Sequence, residues 1–226
     1  MKSTFKIALF SLLISFPYIT SLSAQQKESK TVNYKPRIIN TTDLGADPDD
    51  EQSMVRQLVS ANVFDIEGLI VATGCWKKSQ SNTDMLDKIV DAYAQVYPNL
   101  KVHADGYPTP DYLRSISVMG QDGYGMGDVG MGKDSPGSEL IIKAVDKDDP
   151  RPVWVMGWGG MNNVAQTIWK VKETRTKAEL EKFLSQLRLI DILGQDDSAP
   201  GSRKIFQKFS ISALLKFMDG LLPTNI

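Results

Sequence analysis

The stretch TTDLGADPDDEQS, residues 41 to 53, places Asp43, Asp47, Asp49, Asp50 and Glu51 within nine positions around Gly45. Like charges at this density repel one another unless something offsets them. A helix N-terminus favours a nearby exposed carboxylate by about 0.3–1 kcal/mol, and Asp49 or Asp50 could cap a helix beginning near Glu51. Capping accounts for one or two of the acids and leaves Asp43 and Asp47 unexplained. A divalent cation would offset the rest. Oxygen ligands with no His or Cys among them suit Ca2+ or Mg2+ better than zinc. The spacing is not that of an EF-hand loop, which needs acids at alternate positions and a distal Glu. The turn therefore reads first as a hard-cation seat and second as a capping motif.

Composition narrows the other chemistry. The chain has one cysteine, Cys75, and one histidine, His103. A Ser or Cys triad needs a histidine and a His-rich zinc site needs several, and His103 reads as a strand-end residue before the DGYP turn. Cys75 has no intramolecular partner and reads as a small packed side chain. A net charge of -1 over 226 residues argues against electrostatic capture of nucleic acid.

The elements that must position the acidic turn follow from periodicity. RIINTT (37 to 42) is strand-like and delivers the turn. Met54, Val55, Leu58 and Val59 then fall at helical spacing. DIEGLIVAT (65 to 73) is a second strand, and Met85, Leu86, Ile89, Val90, Tyr93 and Val96 line one face of a helix. LKVHA (100 to 104) reads as a third strand. Residues 106 to 137, rich in Gly and Pro, read as one long loop, of the kind that is usually functional or disordered. A helix over 138 to 145, a buried strand over 152 to 157 and a helix over 161 to 171 follow. Thr176 with Glu179 forms a capping box, and LRLIDIL (187 to 193) is a fifth strand. Alternation of this kind predicts an α/β fold, a mainly parallel sheet with helices on both faces. Three polar segments, TTDLGADPDD, MGWGGMNN and GQDD, fall at strand C-termini, where sites in such sheets gather.

The run INTTDLGADPDDEQSM resembles the signature of the nucleoside hydrolase superfamily. VRQLVSANVFDIEGLIVAT, KVHADGYPTPDYL, GSELII, PVWVMGWGGMNNVAQ and LRLIDILGQDDS resemble one branch of it, the nucleoside-hydrolase-like domain of bacterial secreted proteins described as cellulose-binding. The similarity runs over about residues 36 to 198. It implies that Asp43 and Asp50 bind Ca2+, that Asp49 is the general base, and that Asp47 lies in a short extension near the metal. Trp158 holds the position whose backbone carbonyl would reach the metal. Asn163 matches an Asn that opens the following helix. The implied reaction is hydrolysis of an N-glycosyl or related glycosyl bond by a Ca2+-activated water. The alternative is a non-catalytic module for cellulose or another cell-wall glycan. Thr73 to Trp76, TGCW, stands where many members carry a Gly-Asn that holds the sugar, so ribose is not implied as the substrate. The superfamily domain usually continues further and supplies a late Asp, often with a His. Beyond Ser198 the sequence finds no such match, and the expectation is an interrupted reading frame with reduced metal binding.

Four further readings concern the rim. The glycine-rich loop lacks the Gly-Lys-Ser/Thr ending of a phosphate loop and reads as a flap that carries Asp122 and Tyr124 towards a substrate. Asp196 and Asp197 are either a second acidic edge of the pocket or a solvated strand exit. Trp76 and Trp158 are candidate sugar contacts, and Trp154 and Trp169 are core residues. The N-terminus, with Lys2, Lys6, an apolar run over 7 to 19 and small residues at Ser21, Ser23 and Ala24, has the pattern of a signal peptide ending near residue 24, with an uncleaved anchor as the alternative. Residues 25 to 35 then form a linker. Export to the periplasm or beyond, a small glycoside or glycan as partner, and no stable membrane association after cleavage follow from that reading. No oligomeric state is implied.

Overall fold

The computed structural model describes residues 34–80, 82–192, 194–198 and 207–208. The expectations for residues 1 to 33 lie outside these. Strand β1 (Arg37–Thr42) is buried along its whole length. It leads through the acidic turn into α1 (Asp49–Val59), then β2 (Asp65–Val71) and the long helix α2 (Asp84–His103). Helix α3 (Pro110–Ser115), β3 (Ser117–Met119), α4 (Pro136–Val145), β4 (Val153–Gly157), α5 (Asn162–Thr174), α6 (Lys177–Ser185) and β5 (Leu187–Asp191) follow, with a two-residue β6 (Gln207–Lys208).

The strand order is β3-β2-β1-β4-β5-β6. The first five strands are mutually parallel and β6 is antiparallel to β5. Period-two alternation sends neighbouring side chains of β1 and β2 to opposite faces. Ile38, Leu69 and Val71 pack with Met54, Leu58, Leu86, Val90 and Leu113 from α1, α2 and α3. Ile39 and Ile70 pack with Ile141, Val164, Ile168 and Phe183 from α4, α5 and α6. Helices thus cover both faces, as the alternation predicts. Among the described residues no helix is long and apolar enough to cross a membrane.

Two expectations are corrected. LKVHA is not a strand: Leu100 to His103 complete α2. Leu86, Val90, Tyr93, Tyr97 and Leu100 form one continuous helical stripe against the core, whereas Val102, which a parallel strand would bury, is 83% exposed. His103 accordingly sits in a helical last turn, and Met85 and Val96 are about 40% exposed rather than in the core. The third strand is Ser117–Met119, inside the segment read as loop, and α3 precedes it with Thr109 accepting the Tyr112 N–H and Pro110 at its first turn. The capping box on α6 is present as read.

The N-terminal end of the sheet is closed by paired charges. The register of β1 on β2 skips Glu67, whose carboxylate receives Arg37 Nε at 2.6 Å and Lys147 Nζ at 2.8 Å. Arg37, 1% exposed, also donates to the carbonyls of Ala144 and Arg151. Arg151 in turn pairs with Asp65 and Asp149. Removing one member of a buried, hydrogen-bonded pair leaves an uncompensated charge and costs about 3–5 kcal/mol. Arg37→Ala is expected to lose about 3 kcal/mol or more, read from urea unfolding at neutral pH. A loss below about 1 kcal/mol, the range of exposed pairs, would contradict this account.

Candidate functional site at the carboxyl edge of the sheet

The loops that leave all five parallel strands meet at one edge. β1 ends at Thr42, and Asp43, only 3% exposed, turns the chain through an Ala46 N–H to Asp43 carbonyl bond of 3.0 Å. Asp50, in the first turn of α1, is 8% exposed. Its Oδ2 accepts from Thr42 Oγ1 at 2.5 Å, and its carboxyl is in hydrogen-bond contact with that of Asp43. No side chain caps α1 from Pro48. Asp50 turns back to the strand end instead, so capping does not account for it or for Asp43. Asp49 and Asp47 are exposed. Asp49 Oδ1 accepts the Asp50 N–H at 2.9 Å, and Asp47 hydrogen-bonds to Asp49. Glu51 accepts the Gly45 N–H at 3.0 Å, in a turn where Gly45 takes φ 87, a backbone region that L side chains rarely enter.

Burial first, and the Asp50 charge second, push the Asp43 carboxyl from its ordinary 3.8 up to about 7. Burial also raises Asp50. Asp47 is raised as well, through its contact with Asp49. Asp43 Oδ2 is buried and has no hydrogen-bond partner.

The loop after β2 presses on this pair. At Gly74 a Cβ would sit 1.8 Å from Asp43 Oδ2, so glycine lets the backbone lie against that carboxylate without displacing it. Residues 74 to 77 form a tight turn through paired Gly74–Lys77 backbone bonds of 2.9 and 3.2 Å. Lys77 Nζ donates to the Leu44 carbonyl at 2.8 Å. Cys75 Sγ donates to Gln195 Oε1 at 2.9 Å. Burial and the Asp43 charge push the Cys75 thiol up, away from a reactive thiolate. Trp76, at the tip of this turn, is 78% exposed.

The remaining candidates fall into two groups. Trp158 donates its N–H to the Thr41 carbonyl at 2.8 Å, and its side chain is half buried on the α1 and α2 side, so it stands next to the seat through its backbone. Asp122 is exposed on the β3 loop, and Tyr124 carries Lys78 over its ring at 5.0 Å. The others tie the rim together. Asn163, fully buried, accepts the Gln121 N–H at 2.8 Å, and its Nδ2 is unpartnered. Asp196, 7% exposed, accepts the Asn162 N–H at 3.1 Å at the start of α5 and also holds Ser198. Asp197 accepts the Met126 N–H at 2.8 Å. Asp196 is therefore buried rather than solvated, and Asp197 stitches two loops together. Trp154 and Trp169 pack against the two cores.

Sequence reasoning missed Asn162, which donates to the Gly123 carbonyl at 2.8 Å and leaves a buried Oδ1 unpartnered. It also missed Gln121, which binds the Asp128 and Lys133 carbonyls. The NN pair that opens α5 was the available signal, because two amides at a helix start after a strand have polar groups to satisfy. The glycine-rich loop is bonded at Gln121, Gly123, Met126 and Gly130 rather than standing free. A hollow of about 500 Å³ lies beside it, lined by Gln80, Gln121, Asp122, Asp128, Lys133 and Asp134 among others.

The donor set suits a hard cation. Two buried carboxylates in contact, one with an orphaned oxygen, are the arrangement a dication would relieve. Among the described residues no three His, Cys, Asp or Glu side chains cluster to hold a metal. The other ligands would then be amide or backbone oxygens and water, which Ca2+ accepts.

The raised Asp43 carboxyl has a consequence for stability. Between its ordinary 3.8 and about 7 the folded chain keeps a proton that the unfolded chain has released, so stability from this group falls as pH rises through that window. In EDTA the melting temperature is expected to decline from pH 4 towards pH 7, and Asp43→Asn to flatten that decline. An unchanged slope in the variant would show that another group carries it.

Residues 37–218 match the family described as "Cellulose-binding Sde182, nucleoside hydrolase-like domain". A solved structure described as "a nucleoside hydrolase-related hypothetical protein from Saccharophagus degradans that is associated with carbohydrate metabolism" is 66% identical with a TM-score of 0.72. The match covers 73% of this chain and 40% of that one, so the chain spans less than half of that relative's length. No curated protein matches. With the match spanning most of its residues and the same α/β architecture, the chain belongs to the cellulose-binding, nucleoside-hydrolase-like family.

Proposed function

We propose that this chain is an exported glycosyl hydrolase that uses a Ca2+ seat formed by Asp43 and Asp50. The observation that carries the reading is the buried contact between these two carboxylates, with Asp43 Oδ2 unpartnered at the edge where five strand-end loops meet. Export rests on the signal-peptide pattern of residues 1 to 24. A glycoside or glycan as ligand is supported by the description of the family.

Bound Ca2+ would supply the positive charge that lets Asp43 and Asp50 ionise together and that acidifies and positions a water. Thr42 fixes the Asp50 carboxylate by its hydroxyl, and Gly74 leaves room for that of Asp43. Once both seat carboxylates serve as ligands, neither takes a proton. That task falls to Asp49, exposed at the lip and oriented by the Asp50 N–H. The water oxygen bonds to the anomeric carbon, Asp49 takes the proton, and the leaving group departs with the bonding pair and a solvent proton. The Trp158 backbone stands beside the seat, where its carbonyl is a further candidate ligand.

A second reading, glycan binding without cleavage, is favoured by one observation: among the described residues no third His, Cys, Asp or Glu side chain joins Asp43 and Asp50 at the seat. Two experiments separate the readings. Calcium at 100 times its dissociation constant stabilises the native state by about 2.7 kcal/mol, a rise of several degrees in melting temperature. Asp50→Ala is expected to abolish that rise. Asp49→Ala is expected to keep the rise while slowing turnover on a panel of nucleosides and aryl glycosides by about 100-fold or more. Full activity in Asp49→Ala would overturn the assignment of Asp49 as the proton acceptor. A wild-type chain that binds cellulose yet cleaves nothing in the panel would establish the second reading.

A further inference from the structure

Trp76 is large, apolar and 78% exposed, whereas tryptophan is highly buried on average. Looseness does not account for the exposure. The turn that presents it is closed by paired Gly74–Lys77 backbone bonds and pinned through Lys77 to Leu44 and through Cys75 to Gln195. Its base abuts Asp43, since Gly74 lies directly against that carboxylate. The result is an indole held out on a rigid tip, two residues from the seat. A side chain ordered in this way meets its ligand with little further entropy loss.

The geometry points to Trp76 as a stacking platform for a pyranose ring of a β-linked glucan chain, which makes the substrate class an extended glycan rather than a free nucleoside. This rests on the reading of the neighbouring edge as a glycosyl site. Three features support it. A pyranose with equatorial hydroxyls presents a flat face of C–H groups that suits an indole surface. A protruding ring reaches a chain lying along an insoluble surface, whereas a small ligand would be enclosed by a pocket. The family is described as cellulose-binding. The 500 Å³ hollow beside the glycine-rich loop is a weaker candidate for the same role, because Gln121, Asp128, Lys133 and Asp134 on its wall already satisfy one another or their neighbours.

The test measures depletion of the full chain by microcrystalline cellulose and calorimetric titration with cellohexaose, for wild type, Trp76→Ala and Trp76→Phe. Loss of the aromatic face in Trp76→Ala is expected to weaken both by about fivefold or more, with Trp76→Phe within about twofold of wild type. The melting temperature and its rise with calcium are expected to stay unchanged in both variants, since the side chain packs against little. Wild-type affinity in Trp76→Ala would overturn the inference. So would a wild type that binds neither probe, or an alanine variant that loses inosine binding and keeps cellohexaose. Failure of the calcium seat is read separately, from Asp50→Ala and the calcium melt, neither of which involves Trp76.

Discussion

Two carboxylates forced into contact at the exit of the central strand set the terms for the rest of this edge. Asp43 and Asp50 are seven residues apart, and nothing in the chain's local preferences requires them to meet. They meet because β1 is buried on both faces and α1 folds back onto the sheet through Met54 and Leu58. That packing brings the first turn of α1 over the strand end. The macrodipole of α1 and the Thr42 hydroxyl offset part of the repulsion. The raised Asp43 carboxyl is what remains. The fold therefore holds an electrostatic cost in a fixed place, and such perturbed groups cluster where chemistry or binding happens.

The opposite end of the same sheet shows how the chain handles charge when no ligand is expected. Arg37, Glu67 and Lys147 alternate in sign, and Arg151 bridges Asp65 and Asp149. Arg37 and Glu67 are as buried as the carboxyl-edge pair, yet each meets an opposite charge and a full set of hydrogen bonds. One strand, β1, thus begins in a neutralised network and ends in an unneutralised one. The difference cannot be assigned to burial, which both ends share. It lies in the identity of the partners, and this asymmetry is the physical reason to look for a cation at one end only.

Much of the architecture could be read from periodicity. RIINTT is β1 to the residue, and the strands over 65–71, 153–157 and 187–191 sit within the runs that alternation and β-branching marked. The errors came where a short-range pattern competed with a longer one. LKVHA has strand-like residues, but the stripe from Leu86 to Leu100 already assigned them to a helix. The true third strand is three residues long and half buried, too short for any period to show. At the site, Asp43 and Asp50 were legible because charge density is a property of sequence. Asn162 was marked only by the NN pair that opens α5, and Gln121 by nothing, because its role depends on which loops the topology brings together.

The loops at this edge are joined to each other by side-chain hydrogen bonds. Gln195 receives Cys75, Asp197 receives Met126, Asp196 receives Asn162, and Asn163 receives Gln121. Each bond links segments that follow different strands, so the segments after β2, β3, β4 and β5 are tied together. A site built this way is preorganised, and it gains most for a ligand that touches several loops at once. The TGCW segment connects this frame to the seat. Glycine at position 74 is what allows the backbone to lie against Asp43, and that approach fixes where the next two residues project. A Cβ at position 74 would clash with the Asp43 carboxylate, so a larger residue there requires that side chain or the turn to move. The buried Asp43 carboxylate and the exposed Trp76 indole are thus linked through one short turn that packs against the strand end at Gly74.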